Sequence, residues 1–546
     1  MARPRHRRHG LAVGGRGGQG RCVRATRRPQ RLASPRRAPR VSTDRRADAA
    51  GLGPGGRSSA ATTAGRPVTR RRPDPLRTHL STLPSRTTRA VRSQPLGAWL
   101  TGLAATALYT VFSVTQWYRL SSPSWDLGIF TQLAKAYAGF SAPIVPIKGE
   151  NFNLLGDHFH PLLVLLGPAY AVSPSGLALL VVQDLLFGLS VAVVARAGTR
   201  LLGPLPGIAL GVAYALSWGL QSAVAAQFHE IAFAVPLLAL SLEAVLRRRV
   251  LPAVVWGGLL VFVKEDLGLT VIALGLILAW RLRAVAGLWL SAWGLLWLIL
   301  SVRLILPALN SAGQYDYSDR IDVGAMIADP VGAVVDLVSG TAKHETLLLL
   351  LLAGGVLFLR SSLSLVLLPT LLWRFASTQG GYWGPEWHYS AVLMPVLFLA
   401  LLDGVHTLRT SRRGWVRSTA MVGIPAAVAA CLVLLPGQKF TVLAEPETYR
   451  QSERWDAAHR MMDLIPEGST VESGVVLMAY LVPDTRVYWL GNTNPAPDYL
   501  IVDADDWSWG SVRPSDAEAH AEQRYPGTDY TLVFSEAGYQ LVERHR

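Results

Sequence analysis

Three adjacent ionisable side chains, Lys264, Glu265 and Asp266, lie between the apolar stretches "LPAVVWGGLLVFV" and "LGLTVIALGLILAW". Charged side chains are costly when they face lipid, so a helix turn that borders a polar space is the expected location. Lys264 has two interpretations: an ion pair with its acidic neighbours, or a cation that holds a phosphate group while a neighbouring acid positions it. The sequence leaves both open.

Asp126, in "SSPSWDLGIFTQ", is a second candidate for chemistry. It precedes a helix-like segment, so its side chain could cap the N-terminus of that helix. A carboxylate there could also act as the general base that deprotonates an acceptor hydroxyl. The two interpretations are compatible.

Histidines and carboxylates recur in two further segments: "GDHFHP" contains Asp157, His158 and His160, and "QFHE" contains His229 and Glu230. On an extended segment His158 and His160 share one face and could bind a divalent metal together with His229 or Asp157. The alternative is that these side chains orient a substrate by hydrogen bonds. The HExxH pattern of zinc proteases is absent from the sequence.

The segment "STQGGYWGPEWHYS" contains the aromatic residues Tyr382, Trp383 and Trp387 together with Glu386 and His388. Its tryptophans could form an interfacial belt at the membrane surface. They could equally form a platform on which a sugar ring stacks, with the acid and the histidine binding substrate.

The elements that must position these residues are apolar runs of nearly bilayer-spanning length. The chain has 546 residues, of which 50% are hydrophobic, and most of the apolar runs carry no charged face. We therefore expect a mainly α, polytopic transmembrane bundle of about 11 spans. The expected spans are 96–118, 176–198, 202–220, 229–246, 250–264, 267–281, 284–306, 345–360, 362–378, 388–407 and 418–436.

The distribution of arginines predicts the orientation of this bundle. Every even-numbered span ends on one or more arginines, and the positive-inside rule assigns them to the cytoplasm. The connections that carry the candidate residues then all lie on the outer face, where they could form one cavity. Residues 154–173 are expected to be a juxtamembrane or re-entrant helix on that face, because Pro161 and Pro168 interrupt them.

The two ends of the chain differ from its apolar centre. Residues 1–95 contain 24 Arg and three Asp and are expected to be disordered. They would form a cytoplasmic tail that touches anionic lipid, or they would result from a start codon assigned too far upstream. Without interleaved aromatic residues, nucleic-acid binding is not expected. Residues 437–546 follow the transmembrane domain, 96–436, and alternate between strand-like and polar helical segments. They predict a small extracytoplasmic α/β domain that acts as a lid or a stabilising cap.

The segments "WDLGIFTQ", "HFHP", "QFHE" and "VKED", followed by the C-terminal domain, resemble a family of predicted bacterial membrane proteins of unknown function. That family is grouped with the GT-C glycosyltransferases, such as mannosyltransferases and aminoarabinose transferases. The resemblance covers roughly residues 96–540. It implies a polyprenyl-phosphate sugar donor and an acidic base in the first outer loop, which here is Asp126. Many relatives carry a paired acidic motif there, whereas Asp126 follows Trp125.

Together these observations favour a membrane glycosyltransferase that acts at the outer face of the cytoplasmic membrane. Its partners would be a polyprenyl-phosphate sugar donor, membrane lipids and an envelope glycan, lipid or protein acceptor. The alternative is a transporter or flippase of a lipid-linked or anionic solute, for which internal repeats and a mid-membrane site would be typical. No cofactor is predicted with certainty, although a divalent metal fits the histidine segments.

Overall fold

The long apolar runs form helices in the structure, a computed structural model that describes residues 95–510 and 513–545. The predicted tail, 1–95, lies outside the described residues apart from Pro95. Within the described part, the fold is mainly helical and ends in a small sheet, which confirms the predicted fold class of a helical membrane protein with a C-terminal α/β region.

The α-helices of the apolar part follow one another along the chain. They are α1 (Leu96–Tyr118), α2 (Asp126–Ala138), α3 (Leu166–Val172), α4 (Gly176–Leu202), α5 (Pro204–Ala215), α6 (Trp218–Ala225), α7 (Ile231–Leu246), α8 (Val250–Gly258), α9 (Leu267–Leu282), α10 (Val285–Leu300), α11 (Leu306–Leu309), α12 (Val323–Ala328), α13 (Pro330–Val338), α14 (Thr341–Gly354), α15 (Leu368–Ala376), α16 (Leu393–Arg409) and α17 (Gly414–Leu434).

Short 3-10 segments and one π-helical segment extend or join these helices. The ones that matter below are Leu154–Gly156, Pro161–Leu165, Leu259–Phe262, the π-helical segment Ser301–Ile305, Val356–Arg360, Ser362–Leu367, Gly380–Tyr382 and His388–Ser390.

Five helices in the described residues are long and apolar enough to cross a membrane, or six if the bent pair of α5 and α6 forms one span. The five are Leu96–Tyr118, Gly176–Leu202, Val285–Leu309, His388–Arg409 and Gly414–Gly437. Four of the other predicted spans correspond to shorter apolar helices, Ile231–Leu246, Val250–Phe262, Leu267–Leu282 and Ser362–Ala376. The total of eleven spans therefore stays a prediction.

Local sequence signals explain where α4 begins and ends. The Ser175 side chain accepts a hydrogen bond from the backbone N–H of Leu177 at 3.1 Å, as an N-cap residue does. The helix ends at Gly203, whose φ of +101° favours glycine, and Pro204 then starts α5. These signals produce a sharp turn between α4 and α5. Arg196 and Arg200, near the end of α4, lie at the same end of the bundle as this turn.

The segment expected to re-enter the membrane forms only short helices. Pro161–Leu165 and α3 together make one apolar helix, Pro161–Val172. Twelve residues span roughly 18 Å as an α-helix, well short of the roughly 30 Å of a hydrocarbon core. This length agrees with a juxtamembrane or re-entrant helix rather than a span.

The C-terminal region contains a five-stranded mixed sheet. Its elements are α18 (Trp455–Met462), β1 (Thr470–Ser473), α19 (Met478–Leu481), β2 (Arg486–Trp489), β3 (Tyr499–Asp503), α20 (Ala517–Arg524), β4 (Tyr530–Glu536) and β5 (Tyr539–Arg544). The strand order is β2-β1-β3-β5-β4, with β1 parallel to β2 and β3, and β5 antiparallel to β3 and β4. The central strand β3 is buried along its whole length, as expected between two packed faces.

Candidate active site

The candidate residues surround one cavity of about 890 Å³. Its walls come from the start of α2, the 154–160 segment, the turns before α7 and α9, the 313–323 segment and the connection after α15. Of the predicted site residues, ten line this cavity: Asp126, Asp157, His158, His160, His229, Glu230, Lys264, Glu265, Tyr382 and His388. The structure thus brings together side chains from five separate connections.

Asp126 is held by a histidine rather than by a helix cap. Trp125 occupies the N-cap position, and no side chain caps α2, so the N-cap interpretation of Asp126 was wrong. Asp126 is instead the first helical residue, and its carboxylate lies 3.3 Å from Nε2 of His229. The Asp126 side chain is 29% exposed, which leaves the carboxylate accessible from the cavity.

Both ring nitrogens of His229 face hydrogen-bond acceptors. Its Nδ1 lies 3.2 Å from the backbone oxygen of Gln227, and its Nε2 faces the Asp126 carboxylate. Because a carbonyl and a carboxylate can only accept, both contacts are hydrogen bonds when the ring carries two protons. Gln227 has a φ of +70°, a costly conformation for a residue other than glycine, and this turn aims its carbonyl at the ring. The His388 ring stacks on His229 at 3.6 Å.

The charges of this pair shift both pKa values. Burial alone would raise the pKa of Asp126, but the charge of His229 and hydrogen bonds from His229 and Ser124 outweigh burial and lower it. Burial alone would lower the pKa of His229, but the charge of Asp126 and the hydrogen bond to it raise that pKa. The arrangement therefore favours an ionised carboxylate beside an imidazolium.

Lys264 forms an ion pair with an acid from another segment of the chain and not with its sequence neighbours. Its Nζ lies 2.6 Å from Oε1 of Glu230, so the interpretation as a local pair with Glu265 or Asp266 was wrong. Burial opposes the charge, but Glu230 outweighs it and raises the pKa of Lys264 well above its usual value. Oδ1 of Asp266 has no hydrogen-bond partner in the described residues, and burial raises the pKa of this carboxyl to about 6.

Glu265 anchors the histidine segment to the rest of the cavity. Its carboxylate accepts hydrogen bonds from the backbone N–H of Phe159 at 3.0 Å and from the Tyr315 hydroxyl at 3.1 Å, and lies 2.7 Å from Nδ1 of His158. Burial would raise the pKa of Glu265, but the charge of His158 and its hydrogen bond lower it to about 2. Glu265 is therefore a buried anion that positions neighbouring groups.

Asp157 makes a second set of contacts at the same wall. Its carboxylate accepts a hydrogen bond from the Tyr317 hydroxyl at 2.9 Å and lies 3.2 Å from Nζ of Lys148. The Tyr317 ring stacks on His158 at 4.4 Å. Tyr317 thus ties the 313–323 segment to the 154–160 segment, whereas Tyr315 ties it to Glu265.

The histidines do not form a metal-binding group in this geometry. His160 is 1% exposed, its Nδ1 has no partner in the described residues, and burial lowers its pKa to about 4. Among the residues that the structure describes, no three His, Cys, Asp or Glu side chains are arranged to hold a metal ion. The expectation of a divalent metal stays untested.

Two of the predicted site residues, Trp383 and Glu386, do not line the cavity, and neither does Trp387 of the proposed sugar platform. The Trp383 indole donates a hydrogen bond to the Ser377 backbone oxygen at 3.0 Å, and Lys343 lies 4.4 Å from the ring centroid. Glu386 is exposed. The aromatic side chains that do face the cavity, apart from Tyr382, are Trp125, Phe130, Tyr315, Tyr317, Trp373 and Tyr389.

Two arginines of the cavity wall were not predicted as site residues. Arg303 lies on the apolar helix Val285–Leu309, within its π-helical segment, and makes no ion pair or hydrogen bond with any described residue. Arg320 approaches Asp319 only to 3.9 Å, and its Nε has no hydrogen-bond partner in the described part of the chain. A single arginine inside "LILSVRLILPAL" is the signal that could have identified Arg303, since such a charge usually marks a functional site.

The C-terminal region holds the helix that carries Asp126. The Gln132 side chain donates to the Val487 oxygen at 3.2 Å, and Lys135 donates to the Val482 oxygen at 2.7 Å. Trp125 also packs edge-on against Trp489, with ring centroids 4.6 Å apart. These contacts fix α2 from the side that faces the sheet.

The fold and the cavity thus define a helical membrane protein with a polar cavity at one end of its apolar helices and an α/β region packed beside it. The chain belongs to the DUF2079 family of predicted membrane proteins, whose sequence profile matches residues 116–541. The resemblance to a family of predicted membrane proteins is therefore confirmed.

Solved structures show distant similarities. The structure of ArnT from Cupriavidus metallidurans, bound to undecaprenyl phosphate, is 12% identical over 81% of this chain and 97% of that chain, with a TM-score of 0.49. The Archaeoglobus fulgidus oligosaccharyltransferase tethered to an acceptor peptide is 12% identical over 74% of this chain and 69% of that chain, with a TM-score of 0.37. TM-scores below 0.5 do not establish a shared fold or activity. No protein of curated function matches the sequence.

Proposed function

We propose that this protein is an integral-membrane glycosyltransferase with a GT-C-like architecture that uses a polyprenyl-phosphate-linked sugar. The proposal is carried by one observation: an accessible carboxylate, Asp126, shares a cavity with two cations. Arg303 has no partner among the described residues, and Arg320 has only a long contact with the exposed Asp319, at 3.9 Å. Transfer of a sugar from a phosphate leaving group requires a base for the acceptor hydroxyl and a cationic site for the phosphate, close enough to act on one substrate.

The reaction would be a direct displacement. Asp126 takes the proton of the acceptor hydroxyl, whose oxygen forms a bond to the anomeric carbon of the donor. The bond between that carbon and the phosphate oxygen breaks, and polyprenyl phosphate leaves with the electron pair. The configuration at the anomeric carbon is inverted.

The cations divide into structural and ligand-binding groups. Lys264 is neutralised by Glu230 at 2.6 Å, so its share in binding the leaving phosphate is indirect. Arg303 has no such partner among the described residues, and Arg320 meets only the exposed Asp319 at 3.9 Å, so both guanidinium groups can bind an anion. Arg can bind phosphate through two parallel hydrogen bonds, which orients it as well as neutralising it.

Lateral access from the membrane suits a lipid-linked donor. Leu298, Val302 and Arg303 line the cavity, whereas Leu296 and Ile299 on the same helix are exposed. One helix thus presents an apolar surface for acyl or prenyl chains and a cationic side chain for the phosphate. We place the cavity at the outer face of the cytoplasmic membrane, with a cytoplasmic N-terminus, on the basis of the Arg clusters.

The histidines and aromatic residues would orient the sugar or the acceptor. His158 is held by Glu265 and stacks on Tyr317, which fixes its ring at the cavity wall. Tyr382 and His388 lie on the opposite connection, after α15. An envelope glycan, lipid or protein would supply the acceptor hydroxyl.

The test is the release of polyprenyl phosphate by the purified protein, measured by mass spectrometry with a panel of polyprenyl-phosphate sugars. Asp126→Asn keeps the size of the side chain and should lower the rate about 10²–10⁴-fold, the usual contribution of general base catalysis. Asp463→Asn is the matched control, because Asp463 is exposed, does not line the cavity and contacts none of the proposed binding residues.

Arg303→Gln should raise KM for the donor more than it lowers kcat if Arg303 binds the phosphate of the ground state. Absence of release by folded wild-type protein with every donor would contradict the transferase proposal. Solute flux in liposomes would then test the transporter alternative.

A further inference from the structure

A second polar pocket lies at the end of the bundle opposite the candidate active site. Helix α9 begins directly after Lys264–Asp266 and ends next to Arg281, so its 16 residues separate the two sites by about 24 Å. The second pocket has a volume of about 420 Å³. It lies between the end of α9, the segments Val356–Arg360 and Ser362–Leu367, and α16.

The floor of this pocket is an ion pair that is already satisfied. Arg281 donates two hydrogen bonds to the Asp403 carboxylate, both at 2.5 Å, and the Ser361 hydroxyl donates a third at 2.6 Å. Asp403 is 5% exposed. The carboxylate is therefore neutralised and has little capacity left for a cationic ligand.

The wall of the pocket contains groups that have no protein partner. The Arg360 guanidinium is exposed and makes no ion pair or hydrogen bond with any residue in the described ranges. The hydroxyls of Ser362 and Thr407 likewise make no side-chain hydrogen bond within the described part of the chain. Within the described ranges, Arg360 thus offers a free cation, and Ser362 and Thr407 offer free hydroxyls beside a neutral floor. These groups are suited to an anion that also carries hydroxyl or ester oxygens.

The rim of the pocket is apolar and exposed. Trp280 is 67% exposed, Leu359 56% and Leu365 45%, and all three line the pocket. In a membrane protein such side chains meet lipid, and Trp is enriched at the level of the headgroups. A small soluble anion would leave this rim unused, whereas a phospholipid would cover it with its acyl chains.

We propose that this pocket binds the headgroup of an anionic phospholipid. The phosphate contacts Arg360, the headgroup oxygens contact Ser362 and Thr407, and the acyl chains pack against Trp280 and Leu359. A zwitterionic headgroup fits less well, because Asp403, the only carboxylate among the described residues of the pocket lining, is saturated. Other basic residues at this end of the bundle, Arg196 and Arg200 on Glu243, agree with a surface that faces anionic lipid. The inference is independent of the proposed transferase activity.

The experiment uses the purified full-length chain in nanodiscs of phosphatidylcholine with or without phosphatidylglycerol. Lipid retained by the protein is measured by native mass spectrometry after gentle release from the disc. We expect selective retention of phosphatidylglycerol by the wild type. Arg360→Gln should weaken it at least about tenfold, since a hydrogen bond to a charged group contributes more than one decade of binding constant.

Arg409→Gln is the matched control, because Arg409 is an exposed arginine at the end of α16 that does not line the pocket. Arg360→Lys keeps the positive charge and should retain part of the selectivity that Arg360→Gln loses. This comparison separates the loss of charge from an effect on folding. Inorganic phosphate and glycerol phosphate should compete poorly; effective competition would show that the pocket binds a soluble anion and would overturn the lipid proposal. Equal losses in Arg360→Gln and Arg409→Gln, or retention without preference for phosphatidylglycerol, would also overturn it.

Discussion

The pair formed by Asp126 and His229 makes a quantitative prediction for the variant His229→Asn. The Asp126 carboxylate and Nε2 of His229 are 3.3 Å apart, and the His229 side chain is 4% exposed. At an effective dielectric constant near 20, two unit charges at that separation attract by roughly 5 kcal/mol. Burial of the pair opposes this attraction and the partial exposure of Asp126 screens it, but its loss in the variant should still raise the pKa of Asp126.

The sign of the effect follows from the charge that is removed. His229 lowers the pKa of Asp126, so its loss raises that pKa and delays ionisation to higher pH. If Asp126 is the base, the acidic limb of the pH profile of kcat/KM must move toward higher pH in the variant. Polyprenyl phosphate release measured between pH 4 and 9 would provide the profile. Infrared difference spectroscopy of the carboxyl band would follow the same titration without turnover.

The control is His344→Asn, because His344 is exposed on α14 and does not line the cavity. An acidic limb that stays in place in His229→Asn, while the folded variant retains activity, would refute the coupling between the two residues. A shift toward lower pH would refute the direction of the electrostatic argument.

Three further predictions concern stability. Lys264→Met leaves the buried Glu230 carboxylate unpaired and should lower the free energy of unfolding by about 3–5 kcal/mol, and Glu230→Gln in the same chain should restore part of it. Tyr317→Phe keeps the ring but removes the hydrogen bond to Asp157, so thermal unfolding should show a loss of about 1.5–3 kcal/mol. Glu265, with its pKa lowered to about 2, should stabilise the fold by about 3 kcal/mol above pH 4.5, and this contribution should disappear as the pH falls toward 2.

For each of these three predictions, a specific outcome would contradict the reasoning. An equal loss in Lys264→Met with and without Glu230→Gln would show that the lysine matters for packing and not for charge. Unchanged unfolding of Tyr317→Phe would mean that water replaces the hydroxyl on Asp157. For Glu265, the comparison is Glu265→Gln, which should show a weaker dependence of stability on pH between 2 and 4.5 than the wild type does.

Much of the fold could be predicted because apolar length and strand alternation are local properties of the sequence. The helix Leu96–Tyr118 has the predicted bounds, and "RVYWLG" and "DYLIVDAD" contain β2 and β3. The span count was less predictable, since helices such as α7 and α9 have only 16 residues and are completed by buried polar turns. Length alone does not decide whether such a helix crosses the membrane.

The residues that line the cavity could largely be predicted from the sequence, but the pairs that they form could not. The positions of charges in connections between apolar runs identified Asp126, His229 and Lys264. Their partners lie roughly 30–100 residues away in the chain, so no spacing rule could show that Lys264 pairs with Glu230 and Asp126 with His229. Trp383 has the residue type of a sugar platform, yet the turn after α15 directs it away from the cavity.

The sequence by itself therefore determined which segments are apolar helices, which residues are too polar to face lipid, and that an α/β region follows. These properties depend on composition and on short-range periodicity. Only the tertiary structure decided which charges neutralise one another and which, like Arg303, have no partner among the described residues. Ion pairing depends on distances of a few ångströms between segments far apart in the chain, and those distances exist only after the helices have packed.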